Sequence, residues 1–290
     1  MPKIALIGAG LMGAGLSSVF QTAGWTVSAF DLDREALSRL AGARPAYSIA
    51  DAVHDCDLVI EAVAERLEVK QSVFDDLMEH APPQALLATN SSVIPVGRIA
   101  ERAPDGHAQR ILGAHFWNPP DLIPLVEVIP GPRTADWAMD KAMDYLRAAG
   151  KEPVRVRQDV VPGNRLQHAL WREALALVEE GVCAPADVDH IIKRSFGMRL
   201  AVLGPLENAD LVGLRLTQQI HEVVLPTLSR ATAPSALLEE CLKAGHGGVK
   251  DGAGLYPKWT SEDVAALRRR LSDHLNSALR PASAPHSGGL

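Results

Sequence analysis

Lys3-Ile4-Ala5-Leu6-Ile7-Gly8-Ala9-Gly10-Leu11-Met12-Gly13 is the stretch from which the fold is read. Its first half is a short, continuously apolar run of the kind that makes a central parallel strand, and a helix pattern begins directly after the glycines. Gly8 permits a tight turn, Gly10 lets backbone approach a pyrophosphate, and Gly13 lets the helix pack closely on the strand. Phosphates would then sit at the positive end of the helix dipole, against Leu11 and Met12. A second strand, Trp25 to Phe30, follows the helix and ends in Asp31, about the distance at which an acid bonds the adenosine ribose 2′-hydroxyl. Strand, glycine turn, helix, strand and acid together predict a dinucleotide site. Asp31 repels a 2′-phosphate and Leu32 stands where a phosphate-binding arginine would sit, so NAD is favoured over NADP, with Arg34 the nearby cation that argues the other way.

Working outward, the chain alternates as a doubly wound sheet requires. A helix is expected around Arg34 to Leu40, a turn at Ala50 to Val53, a strand at Leu58 to Val63, a helix from Val69 to His80 and a strand at Ala85 to Thr89. In open parallel sheets ligands bind at the carboxyl ends of strands. There stand Glu61, Glu65 and Lys70, then Asn90-Ser91-Ser92, then His115. Glu65 and Lys70 also read as a solvated helix pair, and Asn90 or Ser91 as the cap of a helix reaching to Arg102. Further on, Arg110 to Ala114 is an apolar strand that delivers His115. A Pro-rich loop follows, and a second apolar strand carries Glu127 alone among Leu, Val and Ile. A buried carboxylate needs a partner. Accepting from one imidazole nitrogen, it would fix the tautomer and leave the other nitrogen free to take a proton; otherwise His115 is a satisfied core histidine and Glu127 an edge-strand acid facing water.

Composition narrows the function classes. The 290 residues are 47% apolar and 22% charged, a globular balance, and 29 basic against 35 acidic residues leave a net charge of −6 with no block of like charges, which argues against nucleic acid as a partner. Cys56, Cys183 and Cys241 lack metal-ligand spacing and fit a reducing compartment. No apolar run approaches the ~18 residues that span a bilayer, and Met1-Pro2-Lys3 runs straight into a strand, so no membrane partner and a cytoplasmic location are expected. His168, His190 and His221 lie on helices with no carboxylate at ligand spacing, and no metal is expected.

Several separated motifs, in order, resemble the 3-hydroxyacyl-CoA dehydrogenase family. They are the glycine turn, Val59-Ile60-Glu61-Ala62-Val63 with Glu65 and Lys70, Thr89-Asn90-Ser91-Ser92, and Ala114-His115-Phe116-Trp117-Asn118-Pro119 through Glu127. Asn164-Arg165, Gly204-Pro205-Leu206-Glu207 with Asp210 and Gly213-Leu214, and Gly248 to Gly254 with Lys250 continue the likeness. The Asn118-Pro119-Pro120 loop and Leu177 to Val182 with Gly197-Met198-Arg199 are most similar to the branch that includes lambda-crystallin, an L-gulonate 3-dehydrogenase acting on a small free hydroxy acid. The resemblance implies that His115 is the general base, Glu127 its holder, Ser92 the donor to the reacting oxygen and Asn164 a group turned to the substrate carbonyl. It places Glu65, Lys70, Asn90, Asn118 and Lys250 with the cofactor. It further implies reversible NAD-dependent oxidation of a 3-hydroxy group to a ketone on an acyl-CoA, or alternatively on a free acid or alcohol of the gulonate or carnitine kind. A crystallin-like structural or binding protein is the alternative outside enzymes.

Two stretches depart from the family. Its usual helical excursion after the second strand, which embraces the CoA-bound substrate, is absent between Asp31 and Ala50. Asp159 to Asn164 is also shorter than the usual approach to the Asn-Arg pair, so that Asn164 suits a helix cap as well. The helix Ala135 to Ala149 and the strand Glu152 to Arg157 close the first half. From Asn164 onward the pattern is helical, with Pro185 opening one helix and Gly204-Pro205 preceding another that runs through Leu214, Ile220 and Val224. The expectation is an α/β protein. A Rossmann domain over 1–160, a doubly wound mostly parallel sheet, precedes an all-α domain over 161–275 that binds substrate and pairs two copies into a homodimer, with a flexible tail over 276–290.

Overall fold

The computed structural model describes residues 1–279. Eight strands form one sheet in the order β3-β2-β1-β4-β5-β6-β7-β8. They are β1 (Lys3–Ile7), β2 (Thr26–Phe30), β3 (Arg44–Pro45), β4 (Leu58–Glu61), β5 (Leu86–Thr89), β6 (Ile111–Phe116), β7 (Leu125–Pro130) and β8 (Glu152–Arg155). Every pairing is parallel except β6 with β7, which a short connector joins antiparallel. The doubly wound, mostly parallel sheet is therefore as the sequence predicts. β1, β4 and β5 are buried along nearly their whole length, which is why their sequences are continuously apolar instead of alternating. Helices cover both faces and two apolar clusters form the layers. One contains Leu16, Phe20 and Leu146 on one side of the sheet, the other Phe74, Leu77 and Ile99 on the opposite side.

The helices of this half are α1 (Leu11–Thr22), α2 (Arg34–Ser38), α3 (Ile49–Val53), α4 (Leu67–His80), α5 (Val96–Ile99), α6 (Asp105–Ala108) and α7 (Asp136–Ala148). The expected turn at Ala50 to Val53 is the short helix α3, capped by Ser48, whose hydroxyl accepts from Asp51 N at 3.0 Å. The expected helix from Asn90 or Ser91 to Arg102 is instead the four-residue α5. Pro95 starts it late, and its first N–H groups are capped from far along the chain: Asp159 accepts from Val96 N at 2.7 Å and from Gly97 N at 2.6 Å.

The chain divides into two compact units, one built on Met1–Asn164 and one on Arg165–Asp273. The second is helical: α8 (Pro162–Glu179) leads into it, followed by α9 (Pro185–Arg194), α10 (Pro205–Val212), α11 (Leu214–Val224), α12 (Ala236–Lys243) and α13 (Ser261–Leu279). The helix expected to run from Gly204-Pro205 through Val224 is broken at Gly213, whose φ of 99° leaves the helical region, giving α10 and α11. α13 continues through Leu279, past position 276 where the tail is expected to begin; the remainder of that expectation, 280–290, lies outside the described residues.

Candidate active site

At the carboxyl end of β1, Gly8 has φ +108°, and a Cβ there would lie 2.6 Å from the Ala62 carbonyl oxygen. At Gly13 a Cβ would come within 2.0 Å of the Gly8 carbonyl oxygen, so α1 crosses the turn at backbone distance, as its sequence demands. Gly10 is the N-cap of α1 and brings no side chain to its first N–H groups. Asp31 accepts from Ala9 N at 2.6 Å and from Asp33 N at 2.8 Å, tying the acid at the end of β2 to the glycine turn. A cleft of about 940 Å³ opens here, lined by Gly8, Gly10 and Asp31 with Val63, Val69 and Val73. Leu11 and Met12 are not part of that lining; Leu11 faces solvent and Met12 packs partly on the core. An uncapped helix N-terminus, a turn without Cβ atoms and a carboxylate beside an apolar slot fit a dinucleotide. Arg34 is turned elsewhere: its Nη1 donates to Ala46 O at 2.9 Å and its Nη2 to Tyr47 O at 3.3 Å.

The antiparallel pairing of β6 and β7 sets His115 directly opposite Glu127. Such partners project to one face of the sheet. The two side chains meet with His115 Nδ1 2.9 Å from Glu127 Oε2, both residues buried at 4% and 3% exposure. A carboxylate only accepts, so Nδ1 is the donor of this bond, and in the tautomer it fixes Nε2 is the nitrogen left to take a proton. Ser92 Oγ lies 3.2 Å from that nitrogen. Glu127 also accepts from Gly163 N at 2.8 Å and from Trp117 Nε1 at 3.3 Å. Burial pushes its carboxyl up, but the bonds from His115, Gly163 and Trp117 outweigh it and hold the group below the ordinary 4.5. The edge-strand reading of Glu127 and the plain core reading of His115 both give way to a paired site.

A depressed carboxyl contributes stability that is present above its ordinary pKa and is lost as pH falls through the folded value. Wild type should therefore exceed Glu127→Gln in urea midpoint at pH 7, with the gap closing as pH drops below 4.5. Equal gaps at pH 7 and pH 3 would contradict the low carboxyl.

Asn164 stands three residues into α8, inside the helix and not at its cap. Its Nδ2 donates to Ser92 O at 2.7 Å, so within this unit it steadies the loop that carries Ser92. Glu65 and Lys70 are no solvated pair. The Lys70 ammonium, 1% exposed, lies 2.8 Å from Glu61 Oε1 and 3.1 Å from Glu65 Oε2. Glu61 is also satisfied by Thr89 Oγ1 at 2.7 Å and Val63 N at 2.7 Å. Glu65 accepts from Ser91 Oγ and, at 3.2 Å, from Val93 N, which links the cluster to the Ser91–Ile94 loop. Burial pushes the Glu65 carboxyl up, and the Ser91 hydroxyl and Lys70 more than reverse it. Asn90 caps nothing: its Oδ1 accepts from Phe116 N at 2.8 Å and joins the ends of β5 and β6.

Asn118 is exposed at the start of the connector, where the Asn118–Pro119 peptide is cis. Lys250 belongs to the second unit, exposed within the turn closed by the bridge between Gly248 and Ala253. Two participants escaped sequence reasoning. Trp117, whose ring meets His115 edge-on at 5.5 Å, could have been flagged as an indole two residues from a candidate base. Lys151 is buried and donates to Pro120 O and, at 3.1 Å, to Ile123 O, so it holds the connector between the two site strands; nothing near it in sequence gives a signal. Among the described residues no three His, Cys, Asp or Glu side chains form a metal-binding group.

The sequence matches the 3-hydroxyacyl-CoA dehydrogenase NAD binding domain over residues 3–44 and 38–160 and the C-terminal domain of the same family over 162–258. It is 34% identical to the L-carnitine dehydrogenase of Nocardiopsis dassonvillei over 92% of this chain and 89% of that protein. The crystal structure of 5-formyl-3-hydroxy-2-methylpyridine 4-carboxylic acid 5-dehydrogenase, described as an NAD⁺-dependent dismutase, superposes with a TM-score of 0.89 at 31% identity, covering 96% of this chain and 97% of that one. The 3-hydroxyacyl-CoA dehydrogenase of Archaeoglobus fulgidus, also 31% identical, gives 0.69 over 96% and 99%.

Proposed function

Starting from its membership of the 3-hydroxyacyl-CoA dehydrogenase family, and so from NAD-dependent oxidation of a secondary hydroxyl, we propose that His115 is the general base and that the substrate is a small free hydroxy acid. The observation that carries this is the His115–Glu127 pair, with His115 Nε2 turned to Ser92 Oγ. NAD, when bound, supplies the hydride acceptor. His115 Nε2 takes the hydroxyl proton as the carbon–hydrogen bond breaks, and Glu127 balances the imidazolium that forms. Ser92 donates to the reacting oxygen, where charge develops. Asn164 keeps the Ser92 loop in place. In the reverse direction the same groups return the proton to the alcohol.

Two observations favour a free acid over a CoA thioester. The crossover from β2 to β4 holds only two short helices and a two-residue strand. At equal identity the chain superposes more closely on a dehydrogenase of a pyridine carboxylic acid than on a 3-hydroxyacyl-CoA dehydrogenase. The cofactor set extends from Gly8, Gly10 and Asp31 to Asn118 and Lys250, with Glu65 and Lys70 acting through the loop they hold. The dinucleotide domain is assigned to 1–160 and the helical domain to 161–275. Exposed Leu206, Leu211, Leu214 and Val223 on the helical unit support a homodimer through that unit. No helix of the described residues is long and apolar enough to cross a membrane. That and the free thiols, with burial pushing Cys56 up to about 12, accord with a cytoplasmic enzyme.

NADH formation across a panel of free 3-hydroxy acids, carnitine and 3-hydroxyacyl-CoA esters tests the reading. Turnover is expected with free acids, with kcat/KM at least tenfold above any CoA ester on the usual ~1.4 kcal/mol per decade. Preference for a CoA ester would reverse the substrate assignment.

A further inference from the structure

In the segment where the family's excursion is missing, Tyr47 stands 81% exposed on the wall of the dinucleotide cleft, beside Asp31, Leu32 and Ile49. A large aromatic left in water within a ligand cleft is apolar surface with an unmet use. Its backbone is nevertheless fixed. Tyr47 N donates to Asp51 Oδ2 at 2.8 Å, Arg44 Nη1 donates to Asp51 Oδ1 at 2.8 Å, and the adjacent Ser48 caps α3. The ring is also backed. The Arg34 guanidinium lies 5.4 Å from its centroid while bonded to the carbonyls of Ala46 and Tyr47, and Arg34 itself does not line the cleft. One side of the ring is thus covered by a cation and the ring forms part of the cleft surface.

We propose that Tyr47 is the stacking platform for the adenine base, with Arg34 bracing the ring from outside the cleft. A purine is a flat π-face that stacks on aromatic rings, a contact that alanine substitution removes. The slot offered here has the matching chemistry, an aromatic ring with Leu32, Ile49 and Val63, and Asp31 next to it for the ribose. The assignment rests on reading this cleft as the NAD site. It also explains Arg34: a side chain that the sequence offers to a 2′-phosphate is used to hold the platform. The short crossover then has a use of its own, since β3 pairs with β2 through Ala29 and Pro45 and so delivers Tyr47 to the carboxyl end of β2.

ADP-ribose carries the adenosine diphosphate half of the cofactor without nicotinamide, so its Kd, measured by calorimetry, reads this contact apart from turnover. Tyr47→Ala should weaken ADP-ribose about tenfold and Tyr47→Phe should stay within about twofold of wild type, with unchanged melting temperatures in both. ADP-ribose binding Tyr47→Ala as tightly as wild type would overturn the platform while leaving the cleft as the NAD site. Equal losses in the Phe and Ala variants would replace stacking by a hydroxyl contact. Failure of ADP-ribose to bind the wild type would remove the cleft assignment and the platform together.

Discussion

Replacing His115 by glutamine is expected to lower kcat for NADH formation by about 10²- to 10⁴-fold, the usual worth of a positioned general base. Glutamine removes the ring base while Glu127 keeps its bonds from Gly163 N and Trp117 Nε1, so the buried carboxylate is not left without a partner. The loss should fall on kcat, since the glycine turn and Asp31 lie outside the β6–β7 pair, and the Kd for NADH should stay near wild type. A variant with wild-type turnover would remove His115 from the chemistry. A variant that also lost NADH binding would point to a collapsed cleft.

Lys70→Met is expected to lower stability by about 3–5 kcal/mol, because it strands a carboxylate that water cannot reach. Glu61 is fully buried and would keep only its bonds from Thr89 and Val63. Glu65 would lose the same cation, and with it part of the tether on the loop ahead of Ser92. The urea midpoint reads the cost. A second variant separates charge from packing: Lys70→Met with Glu61→Gln carries no stranded charge and should recover a large part of the loss. If the single variant unfolds within about 0.5 kcal/mol of wild type, the range of ordinary surface substitutions, the cluster is not the anchor described.

The parts of this molecule that were legible in its sequence are those whose cause is local. β1 and the glycine turn follow from an unbroken apolar run and from positions where a Cβ would strike backbone. His115 and Glu127 were legible as a pair because each sits on its own apolar strand around a short connector. Where the cause lies across the fold, the sequence misleads. Ser91 and Asn90 look like caps, yet the cap of α5 is Asp159, and the two polar residues serve Glu65 and Phe116 instead. Lys70 looks solvated because lysine nearly always is; its burial depends on Glu61 at the end of a strand and Glu65 on the turn before α4. Asn164 reads as a cap until α8 is seen to begin at Pro162.

The register of β6 against β7 fixes the proposed base and its carboxylate at the two ends of one rung of the ladder. Beyond Trp117, which bonds Glu127, and Asn118, whatever joins the two strands before Leu125 can lengthen, shorten or change its residues without altering how the two stand opposite one another. A slip of one residue within β7 would instead turn Glu127 to the far side of the sheet. That stretch of the connector is thus the part of the site where evolution can vary the substrate's surroundings at little risk to proton transfer, and the ladder with Trp117 is the part it must leave alone.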